Sequence, residues 1–168
     1  MRDGPSPTAR DFEAFYDAAR NPVYRAVVLV TRQPDRAEEA TAEAFARAFA
    51  RWDRLADHPN PTAWVVRTAL NTFVSGWRIW RREAYGVPDT LTASDESRSL
   101  DPFLLRTLWR LPRRQREVVA LRIILDLDAR STAATLGIAE GTVGVHLKRA
   151  LDHLREALSG TDYEGTAQ

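Results

Sequence analysis

Arg67, Asn71, Ser75, Arg78 and Arg82 recur every three or four residues within one stretch of the chain. On a helix that spacing lines them along one face. Arg81 adds a cation, and no acidic residue intervenes between Asn60 and Glu83. Guanidinium groups neutralise phosphates, and the Asn71 amide can hydrogen-bond a base edge, so the chemistry offered is nucleic-acid recognition. A solvated arginine face is the plainer reading of the same stripe. Trp64 and Trp77 in this stretch can stack on an unpaired base or fill a core.

A second set lies near the C-terminus. Thr142, Val145, His146, Lys148 and Arg149, with Glu140, face outward from a helix predicted from about 140 to 158. The opposite face carries Val143, Leu147, Ala150, Leu151, Leu154 and Leu158 at helical spacing. A short helix over 129–136 precedes it, and Gly137 stands where a turn wants positive φ. Ala133, four residues before that glycine, lets the two helices pack closely. Leu136, Ile138 and Val143 surround the turn. Two helices joined by such a turn make a helix-turn-helix, whose second helix can enter the major groove.

The third set is acidic: Asp35, Glu38, Glu39 and Glu43. Asp35 with Glu38 reads as a capping box opening an Ala-rich helix through Trp52, with Phe45, Phe49 and Trp52 on its other side. The acidic face is equally a solvated surface or a docking surface.

The elements that position these sets are all helical. Apolar residues from Phe12 to Val30 follow helical spacing, with Pro22 forcing a kink or restart. Asn60 and Pro61 read as an N-cap and first helical residue. The helix they open turns Val66, Leu70, Phe73, Trp77 and Trp80 inward. Asp101 and Pro102 repeat that signal for a helix over 102–110, with Phe103, Leu104, Leu108 and Trp109 directed into a core. Pro112 opens a further helix whose apolar residues include Val118, Val119, Leu121, Ile123, Ile124 and Leu125. The expected architecture is all-α: two small helical domains, residues 10–85 and 101–158. A polar, Ser/Thr-rich linker at 86–100 joins them, and loose tails occupy 1–9 and 159–168.

Composition removes other classes. The 168 residues carry a formal charge of +1, so any basic patch must be local. The chain has no cysteine, and its three histidines, His58, His146 and His153, are scattered, so thiolate zinc sites are excluded and no cofactor is expected. The longest apolar run, residues 26–30, is far too short to span a bilayer, and no signal peptide is visible. A cytoplasmic protein is expected. No nucleophile–base set or carboxylate pair points to an enzyme; Asp126 and Asp128 read as loop and cap residues.

The order of these parts resembles the extracytoplasmic-function (ECF) sigma factors of bacteria, members of the sigma-70 family. In the first half the resemblance rests on Asp-Arg-Ala-Glu-Glu-Ala-Thr-Ala-Glu-Ala-Phe-Ala-Arg-Ala-Phe at 35–49 and Pro-Thr-Ala-Trp-Val-Val-Arg-Thr-Ala-Leu-Asn at 61–71. In the second it rests on Leu-Pro-Arg-Arg-Gln-Arg-Glu-Val-Val at 111–119 and Glu-Gly-Thr-Val at 140–143.

The resemblance implies a role for each set. Asp35, Glu38, Glu39 and Glu43 would dock on the β′ clamp helices of core RNA polymerase. The loop 55–59 and the helix after it would open and read the minus-ten promoter element. There Asn71 would hold a flipped base, Arg67, Arg78, Arg81 and Arg82 would hold phosphates, and Ser75 lies in the same stripe. The helix-turn-helix would read the minus-thirty-five element through Thr142, Val145, His146, Lys148 and Arg149 and touch the β flap. An anti-sigma factor is a possible further partner. Where the family often has a basic residue and then serine, this chain has Gly144 and Val145. That departure leaves the minus-thirty-five specificity open. The alternative is a helix-turn-helix regulator that binds operator DNA without polymerase.

Overall fold

The computed structural model describes residues 7–83 and 101–159, with side chains over 11–75 and 101–159. Every regular element among these residues is helical. The first half comprises α1 (Pro7–Thr31), α2 (Pro34–Phe49), α3 (Trp52–Leu55) and α4 (Pro61–Glu83). The second comprises α5 (Pro102–Trp109), α6 (Arg113–Val119), a π-helical turn (Ala120–Ile124), α7 (Ala129–Leu136) and α8 (Glu140–Ser159). The expected linker at 86–100 lies outside the described residues.

α1 does not restart at Pro22. The helix runs through it, because the carbonyl that loses its partner is that of exposed Ala18, which water can satisfy. It also begins at Pro7, inside the stretch expected to be a loose tail. Toward its end Val23, Tyr24 and the consecutive Ala26, Val27, Val28 and Leu29 are all buried. Four buried neighbours in a row occupy every side of a helix, so this end must be covered all round. α2 and α4 cover one side; α5, α6 and the π-helical turn cover the other. Leu108, Leu111, Val119, Ala120 and Leu121 therefore join the core of the first half. A smaller cluster of Val118, Ala133 and Val143 holds the helix-turn-helix.

The cap of α2 differs from expectation. Gln33 is the N-cap residue and Pro34 occupies the first turn, with no side-chain cap bond. Proline needs no N–H partner there, so Asp35 is released to the helix surface. α2 also stops at Phe49, and Trp52 opens the short α3. Phe45 and Trp52 are buried, whereas Phe49 remains 58% exposed while resting on Phe12 at 5.0 Å between ring centroids.

The caps at Asn60 and Asp101 follow the sequence reading. Asn60 Oδ1 accepts the Ala63 N–H at 3.0 Å, and Asp101 Oδ1 accepts the Phe103 N–H at 2.7 Å. Pro112 is the N-cap of α6, one residue ahead of the helix itself. Phe103 and Leu104 stay partly exposed instead of entering the core, which Thr107 and Leu108, one turn on, enter. Ile123 is likewise exposed, because the wider π-helical turn rotates it off the face that Leu121 buries.

A buried cation links the halves. The Arg116 guanidinium donates to the Leu111 carbonyl at 2.9 Å and to the Trp109 and Val30 carbonyls, each at 3.4 Å. Burial, more than its neighbour Arg32, holds its pKa below the ordinary arginine value. Hydrogen bonds to charged groups contribute more than neutral ones, and removing this side chain leaves three carbonyls short of a donor. Arg116→Ala is expected to lower unfolding stability by about 2 kcal/mol, read from urea melts. An unchanged midpoint would show that the guanidinium bonds contribute nothing net.

Candidate nucleic-acid interface

α4 reaches its surface role through its cap. Asn60 and Pro61 start the helix, Val65, Val66 and Ala69 anchor its inner face, and Arg67, Asn71 and Ser75 are left exposed at four-residue intervals. The side chains of Arg78, Arg81 and Arg82, and of Trp77 and Trp80, lie outside the described residues. Trp64 is half-buried against the core and also lines a surface cleft.

That cleft is where the structure adds to the sequence. It measures about 350 Å³ and is lined by Trp64, Thr68 and Asn71 of α4 and by Arg47 and Arg51 from the end of α2 and the turn after it. Arg47 Nε donates to Glu43 Oε1 at 2.8 Å, one turn back on α2. Arg47, Arg51 and Thr68 were not among the candidate site residues. Their signal was the basic pair at a four-residue interval following the last acidic residue of α2.

The acidic set is assembled as a face. Asp35, Glu38, Glu39 and Glu43 are exposed, while Ala37, Ala40, Thr41, Ala44, Phe45 and Ala48 are buried. Small inward residues let α2 lie close to its neighbours, and the helical period then sends every carboxylate outward.

In the second half, Gly137 has φ of 65°, the left-handed conformation that ends α7 and sets the turn. α8 then divides into two faces over residues 142–150. Val143 and Ala150 are buried, with Leu147 packed beside Val143, while Val145 and Arg149 are exposed and Thr142 and His146 half-exposed. Lys148 Nζ donates to Asp152 Oδ2 at 2.9 Å, and Arg155 Nη1 donates to Asp152 Oδ1 at 2.9 Å. The Lys148 bond, first, holds the Asp152 carboxyl below the usual carboxylate range. Such exposed pairs are weak, so a phosphate can compete for Lys148. Leu158 lies exposed at the far end of the helix.

Among the described residues no group of three or more His, Cys, Asp or Glu side chains is placed to hold a metal. Among them also, no helix is long and apolar enough to cross a membrane.

The described residues thus carry an acidic helix face, a cleft with two arginines and a helix-turn-helix on one all-helical framework. Residues 15–83 match the sigma-70 region 2 family model, and residues 104–154 match the sigma-70 region 4 model. The RNA polymerase sigma-E factor of Streptomyces avermitilis is 30% identical over 161 residues, covering 94% of this chain and 90% of that protein. The ECF RNA polymerase sigma factor SigL of Mycobacterium tuberculosis is 27% identical, covering 86% and 87%. Among solved structures, the sigma factor RpoE of Bartonella quintana, in complex with the anti-sigma factor NepR, has a TM-score of 0.70 at 24% identity. That match covers 89% of this chain and 98% of that one. CnrH, in complex with the cytosolic domain of CnrY, has a TM-score of 0.58 at 22% identity, covering 92% of each. The chain belongs to the sigma-70 family, in its ECF group, and is a promoter-recognising sigma factor.

The helix-turn-helix carries a pH-dependent part. Asp128 caps α7, its Oδ1 accepting the Ser131 N–H at 2.6 Å. That backbone hydrogen bond holds its carboxyl below the ordinary value of 3.8. A depressed carboxylate stabilises the fold above its unfolded pKa and loses that contribution as pH falls through the folded one. Asp128→Asn keeps an acceptor without a titrating proton. Its acid-unfolding profile is therefore expected to be shallower below about pH 4 than that of the parent chain. Superimposable profiles would remove the cap from the pH response.

Proposed function

We propose that the chain binds core RNA polymerase through the exposed acidic face of α2 on the β′ clamp helices, and directs initiation by reading two promoter elements. Complementary charge steers this docking and fixes its register. α4 and residues 55–59 before it open and read the minus-ten element: Asn71 holds a base flipped from the non-template strand, and Arg67, Arg78, Arg81 and Arg82 hold phosphates beside Ser75. Extruding a base costs a few kcal/mol, and a protein pocket must offset this. α8 reads the duplex minus-thirty-five element through Thr142, Val145, His146, Lys148 and Arg149, while the second half touches the β flap. Residues 86–100 link a region 2 domain, 10–85, to a region 4 domain, 101–158. The protein works in the cytoplasm as a specificity subunit without catalytic chemistry of its own, and an anti-sigma factor is a further partner.

The observation that carries this reading is the match to both family regions, in order, on one chain. An operator-binding regulator would need neither the region 2 match nor the acidic α2 face.

The test is a pull-down with bacterial core RNA polymerase, followed by transcription from a genomic promoter pool. Stable binding and start sites that share two spaced elements are expected. Binding of the lone protein to a palindromic duplex, with no polymerase binding, would favour the regulator. Asn71→Ala is expected to cut open-complex formation about ten-fold while leaving polymerase affinity within two-fold, as loss of one flipped-base contact does. Equal loss of polymerase binding would remove Asn71 from the minus-ten role. Arg149→Ala is expected to weaken binding to duplex minus-thirty-five DNA about ten-fold at fixed salt.

A further inference from the structure

The outermost ridge of α8 is apolar at its middle. Gly141, Val145 and Arg149 follow one another a turn apart, opposite the inward line of Val143, Leu147 and Ala150. All three ridge residues are exposed, Val145 to 46%. A single exposed valine is ordinary on a protein surface. Its neighbours are not ordinary. Gly141 stands one turn before it and Gly144 beside it, and a Cβ built on either glycine meets nothing within 4 Å. Neither glycine has positive φ, so no contact and no backbone conformation inside the chain requires one there.

The choice has a cost. Glycine weakens a helix interior relative to alanine, and valine is also a poorer helix former. α8 therefore gives up helix stability along the face it turns to solvent, and no packing in the fold returns it. A DNA groove supplies the reason. The valine side chain ends one carbon beyond Cβ, so it touches a base edge only where the helix backbone lies close to that base. Glycines on both sides leave no Cβ to hold the backbone away. An isopropyl group offers no hydrogen bond, and the apolar group that base edges present in the major groove is the thymine 5-methyl.

We propose that Val145 selects thymine in the minus-thirty-five element by packing on its 5-methyl group, with Gly141 and Gly144 admitting the helix to that depth. The proposal rests on the assignment of α8 to that element. Arg149 lies one turn further along the same ridge, and arginine reads guanine through O6 and N7. A helix turn advances about 5.4 Å and a base step about 3.4 Å, so this thymine and guanine fall one or two base pairs apart. Val145 is a specificity-determining residue, and Gly141 and Gly144 are positioning residues.

The test uses holoenzyme assembled from the full chain and core polymerase, with a duplex promoter found by the transcription assay. Each thymine of its minus-thirty-five element is replaced in turn by deoxyuridine, which removes the methyl group and leaves every hydrogen-bonding atom in place. For the parent, one such replacement is expected to weaken binding about four-fold, the scale of one buried methyl-sized group. Val145→Ser is expected to bind the thymine and uridine duplexes equally. The slope of log K against log salt is expected to be the same for both proteins, because the contact is uncharged. Gly141→Ala and Gly144→Ala are expected to raise the thermal midpoint of the free chain yet weaken promoter binding about ten-fold, since a close-packed interface has no room for an added methyl.

If Arg149→Ala weakens binding but no uridine replacement separates the parent from Val145→Ser, the methyl contact is overturned and the assignment of α8 stands. If neither Arg149→Ala nor Val145→Ser changes binding, that assignment itself fails. A uridine effect of equal size in parent and Val145→Ser gives the methyl to another side chain and overturns the role of Val145. Alanine variants of the two glycines that bind the promoter as the parent does overturn the close approach.

Discussion

The structure depends on one constraint: over residues 26–30, near its end, α1 is apolar on every side. A helix with Ala26, Val27, Val28 and Leu29 all buried cannot rest on a single neighbour and leave its back to water. α2 and α4 satisfy one side, and the α5–α6 layer with its π-helical turn satisfies the other. The two family regions are therefore joined by a common core in this arrangement. Arg116 follows from the same constraint. Bringing α6 against the end of α1 buries a guanidinium, and the Val30 carbonyl becomes one of its acceptors.

With α1 covered, the placement of the functional faces follows from side-chain size. The inner face of α2 is mostly alanine, so it lies close to α1 and α4, and its carboxylates are all turned outward. The close approach of α2 to α4 brings Arg47 and Arg51 to the Asn71 edge of α4 and creates the cleft. α8 needs a different device. Its buried face packs on Val118 and Ala133, and the left-handed Gly137 sets the angle at which its polar face emerges.

Much of this was legible because it is local. Caps at Asn60, Asp101 and Asp128, the glycine turn at Gly137 and the two faces of α8 depend on residues within a few positions of one another. The cleft was not legible in this way, since its walls come from two helices whose mutual approach is a tertiary fact. The joint core is an intermediate case. Its signal is the unbroken apolar run at 26–30, too short for a membrane span but of the pattern that all-round burial in a globular core produces. Asp35 misled for a physical reason: both an aspartate cap and a first-turn proline start helices, and Pro34 won. Ile123 was placed inward by a 3.6-residue period that the π-helical turn does not keep.

Arg32 ends α1 with φ of 61°, a conformation that a residue with a Cβ adopts at some cost. Its guanidinium lies 5.9 Å from the centre of the Trp109 ring, across the joint between the halves. Only Arg32 and Gln33 separate α1 from α2. So short a connection keeps the start of α2 beside the buried end of α1, so the corner that joins the halves also fixes where the acidic face begins.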